Sequence, residues 1–153
     1  MTHPMTSPNA TAPVGHVTKR DLEPITITVP MPPTNTNSGA GRSRHWRSME
    51  REKKSYWTSL DERQECGLIP APPVSPLQCV TVRSSMVLRG AMDDDNAAAR
   101  HKWLLDWLVS RGYIASDRRV HCRWEAFPEQ RVTRSEPARI TLTITPTLTG
   151  AKK

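Results

Sequence analysis

The chain of 153 residues carries 22 Lys and Arg against 15 Asp and Glu, which gives a formal net charge of +7. This length supports one domain with one hydrophobic core, and the positive balance favours a polyanionic partner such as nucleic acid. We find no run of about 18 apolar residues, the minimum for a transmembrane helix, so the sequence predicts no membrane span.

The ends of the chain and its cysteines indicate a cytoplasmic protein. The first 16 residues lack the apolar stretch of a signal peptide, which predicts that the protein is not exported. Cys66, Cys79 and Cys122 form neither a CxxC pair nor a disulfide framework, as expected in a reducing compartment. We predict a flexible N-terminal tail over residues 1–23, a folded domain over 24–147 and a short basic tail over 148–153.

Hydrophobic periodicity predicts six elements in the folded domain. Alternation predicts a strand over residues 25–29, and apolar spacings of three and four predict a helix over 43–65. A proline-rich linker follows over 70–76, and then a long strand over 80–88. A second helix is predicted over 97–110 and ends at Gly112, and two further strands are predicted over 120–126 and 140–145, joined through residues 128–137.

This order favours an α+β fold, a two-layer sandwich. We expect one mixed sheet of about four strands with two main helices on one of its faces.

The most unusual stretch is a run of three carboxylates, Asp93 to Asp95, in a basic chain. If the strand 80–88 continues this far, Asp93 and Asp95 leave the backbone on the same face. A helical pattern follows at once, with Asp95 or Asn96 placed to cap it. Two oxygen donors at a strand end favour a hard divalent cation; the simpler alternative is a solvated turn whose acids favour the helix dipole.

Asp117 is a third acidic residue that this chain order brings back toward the cluster. Three carboxylates around Mg²⁺ suit phosphodiester hydrolysis, because the metal lowers the pKa of its water and neutralises charge that develops on phosphorus. DNA also needs positive charge near such a site. The residues placed to supply it are Arg100, Lys102, Arg118 and Arg119.

Three short pieces, in this order, resemble the RusA-type Holliday junction resolvases, a family common in phages and prophages. Residues 25–35 resemble the family's opening strand and its P-x-P-P-S-x-N turn, and residues 93–96 resemble its D-x-D-N motif. Residues 112–120 resemble the glycine, apolar pair and acidic turn that precede its third strand. The resemblance runs from about residue 25 to residue 145, which is most of the chain.

The resemblance implies a homodimeric endonuclease that requires Mg²⁺, with Mn²⁺ as a substitute, and nicks four-way DNA junctions symmetrically in recombination and repair. It implies that Asp93, Asp95 and Asp117 are the metal-binding catalytic carboxylates, and that Lys102 or Arg100 stabilises the charge on phosphorus. The setting it implies is the cytoplasm of a bacterial or phage-infected cell. The residues expected near DNA are Asn35, Arg42, Arg44, Arg47, Asn96, Arg118 and Arg119.

One departure from the family keeps other functions open. The best-known members carry Lys four residues after the second motif Asp, where this chain has Ala99. A catalytically impaired DNA-binding accessory protein on the same scaffold is therefore the alternative, and a structural metal site without cleavage is a third. The basic residues at the start of the helix 43–65 are equally consistent with a solvated helix face and with DNA contact.

Overall fold

The computed structural model describes residues 23–33 and 46–148. Its strands are β1 (Ile25–Pro30), β2 (Val80–Leu88), β3 (Cys122–Trp124), β4 (Glu129–Val132) and β5 (Arg139–Pro146), and its helices are α1 (Trp46–Glu65), α2 (Asp94–Ala99) and α3 (Lys102–Ser110). The five strands form one mixed sheet, so the predicted α+β class is confirmed.

The sheet is built around β2. Along one side, β2 pairs antiparallel with β5, which in turn pairs antiparallel with the edge strand β1. Along the other side, β3 lies parallel to the first residues of β2 and β4 lies parallel to the last ones. The end of β2 is therefore held between β5 and β4, and the acidic stretch leaves the sheet from there.

Alternation in the strands separates two faces of the sheet. Ile27, Val82 and Leu142 are fully buried and belong to one core, which also contains Leu60 of α1 and Leu104 of α3. The opposite face is polar, and hydroxyl pairs such as Thr28 with Thr141 (3.1 Å) join its strands. The two-layer arrangement is the one that the strand patterns predicted.

A set of polar contacts fixes α1 against α3. Arg111, just after α3, donates to both carboxylate oxygens of Asp61 at 2.7 Å, and Trp107 Nε1 donates to Asp61 Oδ1 at 2.9 Å. Trp57 Nε1 donates to the carbonyl of Trp103 at 3.0 Å. These bonds keep the start of α3, where Lys102 lies, in one position relative to α1.

Several predicted boundaries need correction. The single helix expected over 97–110 is divided into α2 and α3, because His101 N–H bonds to Ala98 three residues back and tightens the turn between them. The strand expected over 120–126 shortens to Cys122–Trp124, since the amides of His121 and Cys122 close a turn on the carbonyl of Arg118.

The predicted connection 128–137 contains β4, a strand that we did not predict because Glu129–Val132 has no apolar alternation. The helix predicted from residue 43 begins at Trp46 among the described residues and ends at Glu65 as expected.

Glycine closes both long helices, as predicted for α3. Gly67 and Gly112 have φ of +76° and +79°, a conformation that L side chains rarely adopt. After Gly112, the Tyr113 amide bonds to the carbonyl of Leu108, which satisfies the last turn of α3 and directs the chain toward Asp117. No helix in the described ranges is long and apolar enough to cross a membrane.

Candidate active site at Asp117 and the start of α2

The acidic stretch forms the N-terminus of α2 and not the continuation of a strand. Asp93 is the N-cap, and its Oδ1 accepts a hydrogen bond from the Asn96 amide at 2.9 Å. Asp94 and Asp95 occupy the first turn, where negative charge is favourable to the helix dipole. The prediction that Asp93 and Asp95 share a strand face is wrong, and so is the prediction that Asp95 or Asn96 caps the helix. The cause is that β2 ends at Leu88, where its pairing with β4 also ends.

Gln130 of β4 fixes the loop that leads into α2. Its side-chain amide accepts from the Met92 amide at 3.0 Å and donates to the Met92 carbonyl at 2.8 Å. This paired contact holds the backbone one residue before Asp93. The three acidic side chains themselves are exposed, so they are accessible to a ligand from solvent.

Asp117 lies in the loop before β3, next to Lys102. The Lys102 ammonium donates to Asp117 Oδ2 at 2.7 Å and also pairs with Asp106 at 2.8 Å. Asp106 is in turn bound by Lys53 of α1 at 3.0 Å. The hydrogen bonds that Lys102 donates to Asp106 and Asp117 raise its pKa, so the ammonium stays charged near neutral pH. Partial burial opposes ionisation of Asp106, but its bonds to Lys102 and Lys53 leave its pKa lowered overall.

A cavity of about 850 Å³, here called the basic cavity, opens beside Asp117. Its lining residues are Asp117, Arg119, Val120, Cys122, Arg123 and Trp124. Arg119 and Arg123 are exposed, and their guanidinium groups suit phosphate, which they bind through paired hydrogen bonds. Burial raises the pKa of the Cys122 thiol to about 11, so this cysteine contributes no thiolate.

Trp124 connects the basic cavity to α2. Its ring lies edge-on to the buried ring of His101, with centroids 5.0 Å apart. His101 Nδ1 lies 2.8 Å from the Ala97 carbonyl of α2, and Nε2 lies 2.6 Å from the Ser84 hydroxyl of β2. A neutral ring satisfies both contacts if Nδ1–H donates to the carbonyl and Nε2 accepts from Ser84. Burial lowers the pKa of His101 to about 4, which is consistent with the neutral form.

The other predicted site residues are distributed as follows. Arg100 is half-buried and donates from Nη1 to the Pro32 carbonyl at 3.1 Å, and its buried Nε has no hydrogen-bond partner among the described residues. Arg100 therefore joins α2 to the turn after β1, whereas Lys102 is the predicted cation that contacts Asp117. Asn96 and Ala99 are half-buried in α2, and Arg47, Arg118 and Arg119 are exposed. Asn35, Arg42 and Arg44 lie outside the described residues.

The arrangement does not fit a bound divalent cation as it stands. The described ranges contain no group of three or more His, Cys, Asp or Glu side chains placed to hold a metal ion. Lys102 binds one oxygen of Asp117, and the helix cap uses one oxygen of Asp93. The donors are carboxylates of the kind that Mg²⁺ prefers, but they are not assembled around a common point.

Two residues of this region were missed by sequence reasoning. Gln130 acts through a contact with Met92, 38 positions away in the sequence. No local sequence pattern predicts this contact. Arg123 could have been found, because the alternation of buried Cys122 and half-buried Trp124 predicts an exposed side chain between them.

Comparison with known proteins leaves the site to be judged on its own geometry. No family model matches the chain, and no curated protein matches it either.

Proposed function

We propose that this protein is a Mg²⁺-dependent endonuclease that nicks branched DNA and resolves four-way junctions. The observation that carries the proposal is the Lys102–Asp117 pair at 2.7 Å, which lies at the edge of the basic cavity. A carboxylate, an ammonium and two guanidinium groups in one place are the chemistry that a phosphodiester requires. Residues 25–35, 93–96 and 112–120 resemble RusA-type resolvases, and this resemblance indicates branched DNA as the substrate class.

In this proposal the residues of the chain have separate roles. Arg119 and Arg123 bind backbone phosphates beside the cut, and their exposed positions leave them accessible to a duplex arm. The Lys102 ammonium stabilises the negative charge that develops on the oxygens of the attacked phosphate. Asp93, Asp95 and Asp117 are the proposed ligands of Mg²⁺ or Mn²⁺; since they are not gathered around a common point in the described residues, the proposal requires DNA binding to bring them together. A homodimer is part of the proposal, because two sites related by a two-fold axis match the two-fold symmetry of a four-way junction. The cytoplasm of a bacterial or phage-infected cell is the proposed setting.

A second candidate function is a DNA-binding accessory protein that does not cut. One observation favours it: the Lys102 ammonium already donates to Asp117 Oδ2 at 2.7 Å. Ala99, at the position where the family's best-known members have Lys, points the same way. This candidate keeps the DNA contacts of Arg119 and Arg123 and dispenses with the cation.

Nicking of a labelled four-way junction separates the two candidates. The endonuclease proposal predicts paired symmetric nicks with Mg²⁺, on the junction and not on linear duplex. It also predicts that Asp95→Asn abolishes nicking and keeps or strengthens junction binding, because the substitution removes a charge that repels phosphate. Tight junction binding without nicks in Mg²⁺ or Mn²⁺ would support the accessory protein. Nicking by Asp95→Asn at the wild-type rate would overturn the catalytic assignment.

A further inference from the structure

A second, apolar cavity adjoins the basic cavity at Trp124. It measures about 260 Å³ and is here called the aromatic pocket; its lining residues are Ala98, Trp124, Ala126, Phe127 and Pro128. Trp124 is the residue that the two cavities have in common. A ligand that fills both cavities must therefore carry a flat apolar group for the aromatic pocket and, directly next to it, an anionic group for the basic cavity.

The aromatic pocket is held in place by the sheet and by α2. The Glu125 amide bonds to the Val82 carbonyl at 2.9 Å, which anchors the β3–β4 connection just before Ala126 and Phe127. His101 supports the Trp124 ring and is itself fixed by Ala97 and Ser84. The Trp124 side of the pocket is thus held by contacts within the fold.

Phe127 has no role in the hydrophobic core. Its side chain is 62% exposed, although Phe is normally buried in a domain of this size. An exposed aromatic that lines a pocket with a second aromatic, where the second also lines a cavity with two arginines, is an arrangement that suits single-stranded nucleic acid, in which bases stack on rings and phosphates follow a basic groove.

We propose that the aromatic pocket takes the base of an unpaired nucleotide in DNA, while Arg119 and Arg123 of the basic cavity bind its flanking phosphates. The charge of the two arginines, in a chain of net charge +7, complements the nucleotide backbone. This inference rests on the DNA-binding part of the proposed function and deepens it, because a branch point at which a base leaves its pair would be bound more tightly than a continuous duplex. Paired bases in a continuous duplex cannot reach the pocket without leaving the stack.

Binding to DNA with 2-aminopurine at one unpaired position tests the pocket directly, in buffer without divalent cation. Wild type should bind this single-stranded probe more tightly than the matching blunt duplex, and the probe's fluorescence should change as its base stacks. Phe127→Ala should weaken single-strand binding by about ten-fold and remove the fluorescence change, with little effect on duplex binding. Leu68→Ala is the matched control, because Leu68 is 65% exposed and lines neither cavity.

The arginines are tested by the salt dependence of the same binding. Arg123→Gln should lower the slope of log affinity against log salt by about 0.7 on single strands. Arg134→Gln, which removes an equal charge from an exposed position outside both cavities, should leave the affinity for the unpaired base unchanged. Trp124→Leu provides a second variant of the pocket, with circular dichroism to check its fold.

The outcomes separate this inference from the proposed function. If Phe127→Ala and Trp124→Leu both bind the single-stranded probe like wild type, the pocket assignment is wrong, even when the protein nicks junctions. If the stacking signal depends on Phe127 and no nicking occurs, the pocket assignment stands and the endonuclease proposal fails. Equal affinity of wild type for the single strand and the blunt duplex, without a fluorescence change, would also overturn the pocket assignment.

Discussion

Lys102 is the residue that distinguishes this site from an ordinary acidic turn. Its ammonium lies between Asp106 and Asp117, at 2.8 and 2.7 Å, and is half-exposed. Exposed ion pairs contribute less than about 1 kcal/mol to stability, so this pair adds little to the fold. The proposed function explains the pair by a role of this ammonium on the phosphate that is cut.

Replacement of Lys102 tests that explanation. We predict that Lys102→Gln reduces junction nicking by about a hundred-fold or more, since a cation aimed at charge on phosphorus is lost. The free energy of unfolding should change by less than about 1 kcal/mol. Lys53→Gln is the control: Lys53 also binds Asp106, at 3.0 Å, but it has no contact with Asp117. Equal loss of nicking in both variants would show that the ion-pair network acts only on structure.

His101 makes stability depend on pH. Its pKa is lowered from 6.5 to about 4 by burial. Between these values the unfolded chain binds more protons than the folded one, so the free energy of unfolding falls as the pH is lowered from about 6.5 to 4. The contribution of His101 to this fall is on the order of 3 kcal/mol and is absent above pH 6.5.

An NMR titration of the histidine ring signals checks this prediction. The His101 signals should stay at their neutral positions down to about pH 5, whereas a free imidazole has a pKa of about 6.5. Urea unfolding at pH 7 and pH 5 should show the matching loss of stability. A His101 ring that titrates near 6.5 in the folded protein would contradict the buried Ser84–His101–Ala97 arrangement.

At the scale of elements, the carboxylate of Asp93 at the start of α2 has two roles. Asp93 caps the helix through the Asn96 amide, and the same residue is a proposed cation ligand. A serine at this position would keep the cap and remove the negative charge. The two uses can therefore be separated by substitution.

We predict that Asp93→Ser changes the free energy of unfolding by only a few tenths of a kcal/mol, while Asp93→Ala costs about 1 kcal/mol. Both variants should lose nicking on four-way junctions. Chemical denaturation and the nicking assay, run on the same preparations, measure the two effects. If Asp93→Ser nicks like wild type, Asp93 serves only as a cap.

The elements that the sequence predicted well are those with strong local patterns. β1, β2 and β5 alternate between core and solvent, and α1 and α3 have apolar residues at helical spacing, so each was located within a few residues. β4 was missed because Glu129–Val132 is polar and is a strand only through its pairing with β2. The break between α2 and α3 was missed because Ala98 to Leu108 is compatible with one helix; the tight turn before His101, whose ring is bound by Ser84, becomes visible only in three dimensions.

At the scale of the whole molecule, charge and topology place the candidate site. β2 carries the chain toward the start of α2, and α3 returns it through Gly112 to the loop before β3, where Lys102 at the start of α3 contacts Asp117. The composition predicts a polyanionic partner, and the acidic run by itself predicts a helix start close to the residue where α2 begins. The Lys102–Asp117 contact could be expected only from the resemblance and from charge, because its geometry depends on the packing of α3 against the loop before β3.

The proposed function requires that Asp117 belong to a nuclease active site and do more than pair with Lys102. The most direct measurement is the single-turnover rate of four-way junction nicking in Mg²⁺ for wild type, Asp117→Asn and Asp106→Asn. Each variant removes one of the two carboxylates that bind Lys102. We predict that Asp117→Asn lowers the rate by more than about a hundred-fold with junction affinity retained, and that Asp106→Asn stays within about ten-fold of wild type. Equal rates for Asp117→Asn and wild type, or an absence of nicking in wild type beside tight junction binding, would contradict the claim.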